Sequence, residues 1–409
     1  MADKLLDYSY DSVLLALRQR LTEGAPGYLQ IIKGPRQVGK TTLLLEIEKQ
    51  FGECVLYAAA DSPEAAIPGW WETIWANAEI LSQKGRAILI IDEIQYLSEW
   101  GRRLKAQIDK SSRLKKAISI VVSGSSSLLL GKGSREAMTG RFEVLRMSHW
   151  PVRTLCAHFG LDPATAVAES IETGTFPGAV KLLEDRRRWQ AYIRDSIIEP
   201  SIGKDILLLE SVKKPALLRQ LFAVAANHPA EIIAIHKICA GLLEKGSIET
   251  VANYLHLLQE ASLVAALPKY TPEVTRQRAS PPKLVVLNQA YLGAMQPASQ
   301  PLLKDDLARF GRWVENACIA AAWNAGQAPY YWREEPYEVD MVLDGDWGKW
   351  AIEVKTGQTT VSDCKGLFAF MQRHSGFRPL VLCDRDRTGA MKSAGVNAMA
   401  WQDFLLDGL

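Results

Sequence analysis

The sequence is poor in the residues that build disulfide frames and metal sites. Six cysteines (Cys54, Cys156, Cys239, Cys318, Cys364, Cys383) are scattered through 409 residues without a C-x-x-C pair, and the six histidines show no metal-ligand spacing. Neither a disulfide scaffold nor a zinc site is expected, and reduced thiols point to a cytoplasmic protein. An excess of one charge is lacking as well: 48 Lys and Arg stand against 46 Asp and Glu, a net charge of +2. That excludes a histone-like polycation and an acidic disordered tail, but not a local basic groove. No apolar run approaches the roughly 18 residues of a membrane span, so no membrane partner is expected. The opening stretch, Met1 to Tyr8, has no basic segment followed by an apolar one, so no secretory signal is expected. There are no repeats and no long low-complexity tract.

What is present suits a globular chain: 48% hydrophobic and 23% charged residues. At roughly 150 residues per domain, about three domains are expected. In the first 130 residues, aliphatic runs at 28–33, 54–60, 87–91 and 117–123 alternate with helical spacing, as in a buried parallel sheet between helices. From His149 the pattern turns helical, with stretches at 164–171, 180–194, 214–226 and 247–261. In the last of these Val251, Tyr254, Leu255 and Leu258 form one apolar stripe. Strand-like runs at 263–267 and 284–287 flank a loop carrying Lys269, Arg276 and Arg278, which completes the outline of a winged helix. Residues 295–301 have linker chemistry. Beyond them a helix, three strands, a helix and a strand describe a second α/β domain.

Two motifs define a nucleotide site. Gly34-Pro35-Arg36-Gln37-Val38-Gly39-Lys40-Thr41 matches G-x-x-x-x-G-K-[ST], after a strand and before a helix, with Thr42 continuing it. The glycines let backbone wrap phosphates, and the helix N-terminus offers free N–H groups. Lys40 is expected at the β- and γ-phosphates and the Thr41 hydroxyl on Mg²⁺. Fifty residues on, the run Ile88–Ile91 ends in Asp92-Glu93. Asp92 is expected to hold Mg²⁺ through water, and Glu93 to activate the attacking water. The expected cofactors are ATP and Mg²⁺.

The stretches GPRQVGKTTLL, LIIDEIQ, VVSGSSSLL, TGR and GTFPGAV resemble a large bacterial and archaeal family that pairs an AAA-type (AAA+) ATPase domain with a C-terminal domain of unknown function. The runs ENACIAAAW, YYWREEPYEVDMVLDG and WAIEVKTGQ look like that C-terminal domain. Asn288 stands where such proteins often carry an aspartate. The resemblance implies a γ-phosphate sensor on the strand after Asp92, with Ser123 the first choice and Ser125 the second. It also implies an arginine reaching a neighbouring subunit's nucleotide, Arg141 or else Arg135. The implied architecture is a P-loop AAA+ core at 1–150, a helical lid at 151–212, a winged helix at 213–294 and a restriction-endonuclease-like α/β domain at 302–409.

The residues of that last domain can be read on their own. Asp340 lies on one strand, and Glu353 and Lys355 on one face of the next. Glu315, on the preceding helix, could come over the same edge. An acid followed by E-x-K is the PD-(D/E)xK nuclease pattern: Asp340, Glu353 and Glu315 would hold Mg²⁺ against a phosphodiester, and Lys355 would neutralise developing charge. Basic residues crowd 102–116, opposed only by Asp109, and recur at Arg186–Arg188. Both read as solvated faces or as contacts to a DNA backbone.

Together these features predict an ATP-hydrolysing AAA+ motor acting on DNA as a homo-oligomer, a hexamer among the forms it could take. The competing readings are an ATP-dependent oligomerisation switch in signalling or defence, an ATP-gated Mg²⁺-dependent nuclease, and a non-catalytic DNA-docking protein.

Overall fold

A computed structural model describes residues 8–23, 29–114, 116–125, 140–207, 212–244, 246–272, 280–297 and 303–409. Arg135, Ser126, Lys115, Arg276 and Arg278 lie outside them. The chain divides into two compact units, residues 1–148 with 203–212, and residues 149–202 with 213–409. The stretch 151–212 therefore contributes to both units.

The first unit is a five-stranded parallel sheet flanked by helices α1 (Tyr10–Thr22), α2 (Lys40–Phe51), α3 (Trp70–Gln83) and α4 (Trp100–Arg113). Its strands are β1 (Leu29–Gly34), β2 (Val55–Ala59), β3 (Ala87–Asp92), β4 (Ile118–Ser125) and β5 (Phe142–Arg146), in spatial order β2-β3-β4-β1-β5. Parallel strands need covered faces, and β3 is buried from end to end because its aliphatic side chains fill both. Leu89 and Ile91 share one core with Trp71, Trp75, Trp100 and Leu104. Truncating a tryptophan as buried as Trp75 to alanine costs about 3–5 kcal/mol. The order sets β4 between β1 and β3, so the end of β4 lies between the two nucleotide motifs.

In the second unit, helices Pro215–Asn227, Ile235–Gly241 and Ile248–Glu260 accompany a three-stranded antiparallel sheet. Its strands are β6 (Glu231–Ile232), β7 (Val264–Leu267) and β8 (Lys283–Val286), in order β6-β8-β7. The sequence pattern predicts only β7 and β8, because two residues are too few to show alternation. The stretch 180–194, expected as one helix, is broken. A tight turn spans Pro177–Leu182, and a new helix starts at Arg186, where the Asp185 carboxylate accepts the Arg188 N–H. Asn288 caps its own helix by accepting the Ala290 N–H at 3.0 Å.

The C-terminal part carries strands β9 (Tyr330–Glu334), β10 (Tyr337–Gly345), β11 (Gly348–Val354), β12 (Arg378–Cys383) and β13 (Ala398–Ala400). They form a mixed sheet, with β9, β10 and β11 antiparallel and β12 and β13 parallel to β11. Helix Leu307–Asn324 precedes the sheet, and helix Lys365–Arg373 packs on it through Leu367 and Phe370. Among the described residues no helix is long and apolar enough to cross a membrane.

Candidate functional site

The phosphate loop joins β1 to α2. A Cβ on Gly34 would lie 2.7 Å from the Met147 carbonyl oxygen, and Gly39 has φ 89°, so glycine is required at both positions. Val38 is buried and anchors the loop, Gln37 is exposed with φ 60°, and Thr41 and Thr42 are exposed at the first turn of α2. The Lys40 ammonium is buried and donates to the carbonyls of Gly34 at 3.1 Å and Pro35 at 2.8 Å. Burial lowers its pKa, opposed by the carboxylates of Glu93, Asp205 and Asp92.

Asp92 is the hub. Its carboxylate accepts from the Thr41 hydroxyl at 2.8 Å, from the Tyr57 hydroxyl at 2.8 Å and from the Ser123 hydroxyl. Ser123 in turn accepts the Glu93 N–H at 3.1 Å. One serine therefore holds the Asp92 carboxylate and the Glu93 backbone. Glu93 adopts φ 52° just past the tip of β3, and Gln95 donates to its carboxylate. Thr41 and Asp92, a hydroxyl and a carboxylate within one hydrogen bond of each other, are a donor pair suited to Mg²⁺ held directly by one and through water by the other.

Two members of this site escape the sequence. Tyr57 comes from β2, beside the strand that ends in Asp92, and burial followed by its bond to Asp92 raises its pKa. Asp205 grips Arg36 of the phosphate loop by two bonds, Nε to Oδ2 at 2.7 Å and Nη2 to Oδ1 at 2.6 Å. That bidentate pair raises the Arg36 pKa, against the lowering effect of burial. The preceding residue, Lys204, stands 4.8 Å over the ring of Tyr96 in the turn after Glu93.

Arg141 lies elsewhere. Its carbonyl accepts the Leu29 N–H and its guanidinium pairs with Asp109 at 3.2 Å, at the amino edge of the sheet. The phosphate loop leaves the carboxyl edge, about 20 Å away for six residues of strand. Ser125 is buried at the end of β4, across from Gly34. On α4, Arg102, Arg103, Lys105, Lys110 and Arg113 are all exposed. The exposed positions of helix Ile248–Glu260 include no lysine or arginine.

The acids of the C-terminal part converge. The register Met341↔Ile352, carried one residue further, sets Asp340 across from Glu353. Lys355 pairs with Glu353 at 2.6 Å, and Asp340 accepts the Val354 N–H at 2.8 Å. A residue the sequence leaves unmarked joins them: the buried Lys283, first residue of β8, reaches Glu315 at 2.5 Å, Glu338 at 3.3 Å and Asp340 at 3.7 Å. Burial, then the Asp340 charge, pushes Glu353 up to about 8 and Glu315 up to about 7, while a lysine beside each opposes the rise. Burial alone would lower the Lys283 pKa, but Glu315, Asp340 and Glu338 hold it above the ordinary value. Among the described residues, no group of three His, Cys, Asp or Glu is arranged to hold a metal ion.

Residues 27–156 match the family model described as AAA domain, residues 164–302 match Domain of unknown function (DUF8612), and residues 310–403 match Domain of unknown function (DUF4143). The chain is 23% identical over 335 residues to an uncharacterized protein of Mycobacterium bovis and equally to one of Mycobacterium tuberculosis, covering 80% of this chain and 70% of each relative. Among solved structures it is similar to AMPPCP-bound DnaA from Aquifex aeolicus, at 15% identity and a TM-score of 0.33, over 63% of this chain and 93% of that one. The phosphate loop, the acid-tipped β3 beside β4 and the family match agree: residues 27–156 resemble a P-loop domain of the AAA type.

Proposed function

We propose that the protein hydrolyses ATP with Mg²⁺ and uses the turnover to act on DNA as a homo-oligomer. The observation that carries the reading is the convergence of Lys40, Thr41, Asp92, Glu93 and Ser123 at one edge of the sheet. Lys40 and the loop N–H groups would bind the β- and γ-phosphates, and Glu93 would take the proton of the attacking water. Ser123 would keep Asp92 and Glu93 in place. Bound Mg²⁺ supplies charge neutralisation on the phosphates.

Arg141, paired with Asp109 at the amino edge of the sheet, is out of reach of its own subunit's phosphate loop, so a catalytic role for it requires a second subunit. The exposed basic face of α4 supports a phosphate backbone as partner. The three helices and small antiparallel sheet at 215–286 support a winged helix, although its third helix offers no exposed cation to a groove. The helix–strand–strand–strand–helix–strand order at 307–383 supports a nuclease-like fold for the C-terminal part. The deciding experiment is the ATPase rate with and without single-stranded, duplex and branched DNA, alongside Glu93→Gln. A Mg²⁺-dependent rate lost in Glu93→Gln and raised by DNA is expected. An unchanged rate in Glu93→Gln overturns the mechanism, and indifference to every DNA overturns the partner.

A further inference from the structure

We infer that Lys283 is the resident cation of the C-terminal carboxylate cluster, filling the place that a divalent metal would take in a nuclease of this pattern. The side chain is 1% exposed, and a buried ammonium needs close acceptors. It has them: Glu315 Oε1 at 2.5 Å, Glu338 Oε1 at 3.3 Å, Asp340 Oδ1 at 3.7 Å and the Asp340 carbonyl oxygen at 3.4 Å. The ammonium donates hydrogen bonds to Glu338 Oε1 and the Asp340 carbonyl, and the contacts with Glu315 and the Asp340 carboxylate are ion pairs.

The acids are engaged in turn. Asp340 gives one carboxylate oxygen to Lys283 and the other to the Val354 N–H, and Glu353 Oε1 faces Lys355. Mg²⁺ demands about six oxygens at roughly 2.0–2.1 Å, and these carboxylates are arranged around an amine instead. Glu353 Oε2 is buried without a hydrogen-bond partner among the described residues, so an oxygen is on hand once the amine is gone.

The lysine is not on a loose arm. β8 is clamped by Asn316, whose amide accepts the Val286 N–H at 2.9 Å and donates to the Val286 carbonyl at 2.8 Å. Just before β8, the Tyr331 hydroxyl donates to the Pro281 carbonyl. The same clamps that seat the hairpin on the C-terminal sheet deliver Lys283 to the acids. The cluster is a polar lock between the two parts of the unit, and it excludes a divalent ion.

The test is Mn²⁺ binding to the nucleotide-free full-length protein, read by electron paramagnetic resonance, so it is independent of ATP hydrolysis. Wild type is expected to show no Mn²⁺ site that depends on Asp340 up to about 1 mM. Lys283→Ala is expected to gain one site per chain, at least about tenfold tighter than that limit, and to lose it again when Asp340→Asn is added. A wild-type site abolished by Asp340→Asn overturns the inference, as does a folded Lys283→Ala protein that gains none. Should Lys283→Ala fail to fold, wild type against Asp340→Asn decides alone.

Discussion

Arg36 and Asp205 lie 169 positions apart in sequence and are joined by two hydrogen bonds of 2.6 and 2.7 Å. Arg36 belongs to the phosphate loop, so the pair ties the loop to the segment 203–212 of the same unit. Asp205 is nearly buried and Arg36 is about a quarter exposed. Removing one partner leaves a charge poorly solvated, which costs more than removing both. Asp205→Ala is therefore expected to destabilise the unit more than Arg36→Ala with Asp205→Ala together. Denaturant titration of the double-mutant cycle should return a coupling of about 1–3 kcal/mol. Additive effects would show that the pair is incidental.

Ser123 is a positioning residue, because it bonds Asp92 and Glu93 at once. A hydrogen bond to a charged group is worth about 1.5–3 kcal/mol, so Ser123→Ala is expected to slow hydrolysis about tenfold or more. The nucleotide Kd should stay within about twofold, since both bonds go to Asp92 and Glu93 and twofold is only about 0.4 kcal/mol. Ser123→Thr, which keeps the hydroxyl, should recover most of the rate. An equal loss of binding and rate would mean that Ser123 only supports the loop.

Lys40→Ala is expected to weaken nucleotide binding and abolish turnover. Glu93→Gln should keep binding and lose about 10²–10⁴-fold in rate, because it deletes a base and no phosphate contact. Fluorescent-nucleotide titration beside single-turnover hydrolysis separates the two. Weakened binding in Glu93→Gln would remove Glu93 from the role of base.

The nucleotide site was legible because its physics fixes residue types at contiguous positions. A loop that wraps phosphate needs Gly34 and Gly39, and a carboxylate at a strand tip follows an aliphatic run. Tyr57 and Asp205 were not legible, because each reaches the site from a distant element and neither carries a motif. The strand order that brings Tyr57 beside Asp92 is a long-range pairing, invisible to local periodicity. Lys283 illustrates the same limit. In sequence it is one lysine beside a strand, about 30 residues from the nearest acid it meets. The clamps of Asn316 on β8 and of Tyr331 on Pro281 bring them together. The acids themselves were readable from the D…E-x-K spacing, but spacing says nothing of the cation they hold.

Arg141 is expected to act between subunits. Alone, Arg141→Ala and Lys40→Ala should each lack activity. Mixed, they should recover part of it, because an intact phosphate loop then meets an intact arginine at some interfaces. No recovery, together with a monomer by sedimentation in ATP, would rule out the shared site. Asp109→Ala serves as a control, since it frees the guanidinium from its 3.2 Å partner without removing it.

His149 supplies a pH dependence. Its Nε2 contacts the Ser262 carbonyl at 2.9 Å, and the ring packs edge-on to Phe176 and Tyr291, 2% exposed. Burial lowers its pKa to about 4, with the Ser262 bond opposing. The folded value lies below the unfolded value of about 6.5. The neutral ring therefore stabilises the fold fully above that value, and the contribution is lost as pH falls toward 4. Between pH 7 and pH 5 the loss is about 2 kcal/mol from this residue alone. Many carboxylates titrate over the same range, so the measurement is a difference. Unfolding free energy is followed from pH 7 to pH 5 in wild type and in His149→Gln, which keeps a donor near Ser262 but cannot charge. His149→Gln should be less stable at pH 7 and should fall less steeply, by about 2 kcal/mol over the interval. Parallel curves would show that His149 protonates as readily in the fold as in the unfolded chain, and the buried-ring account would be wrong.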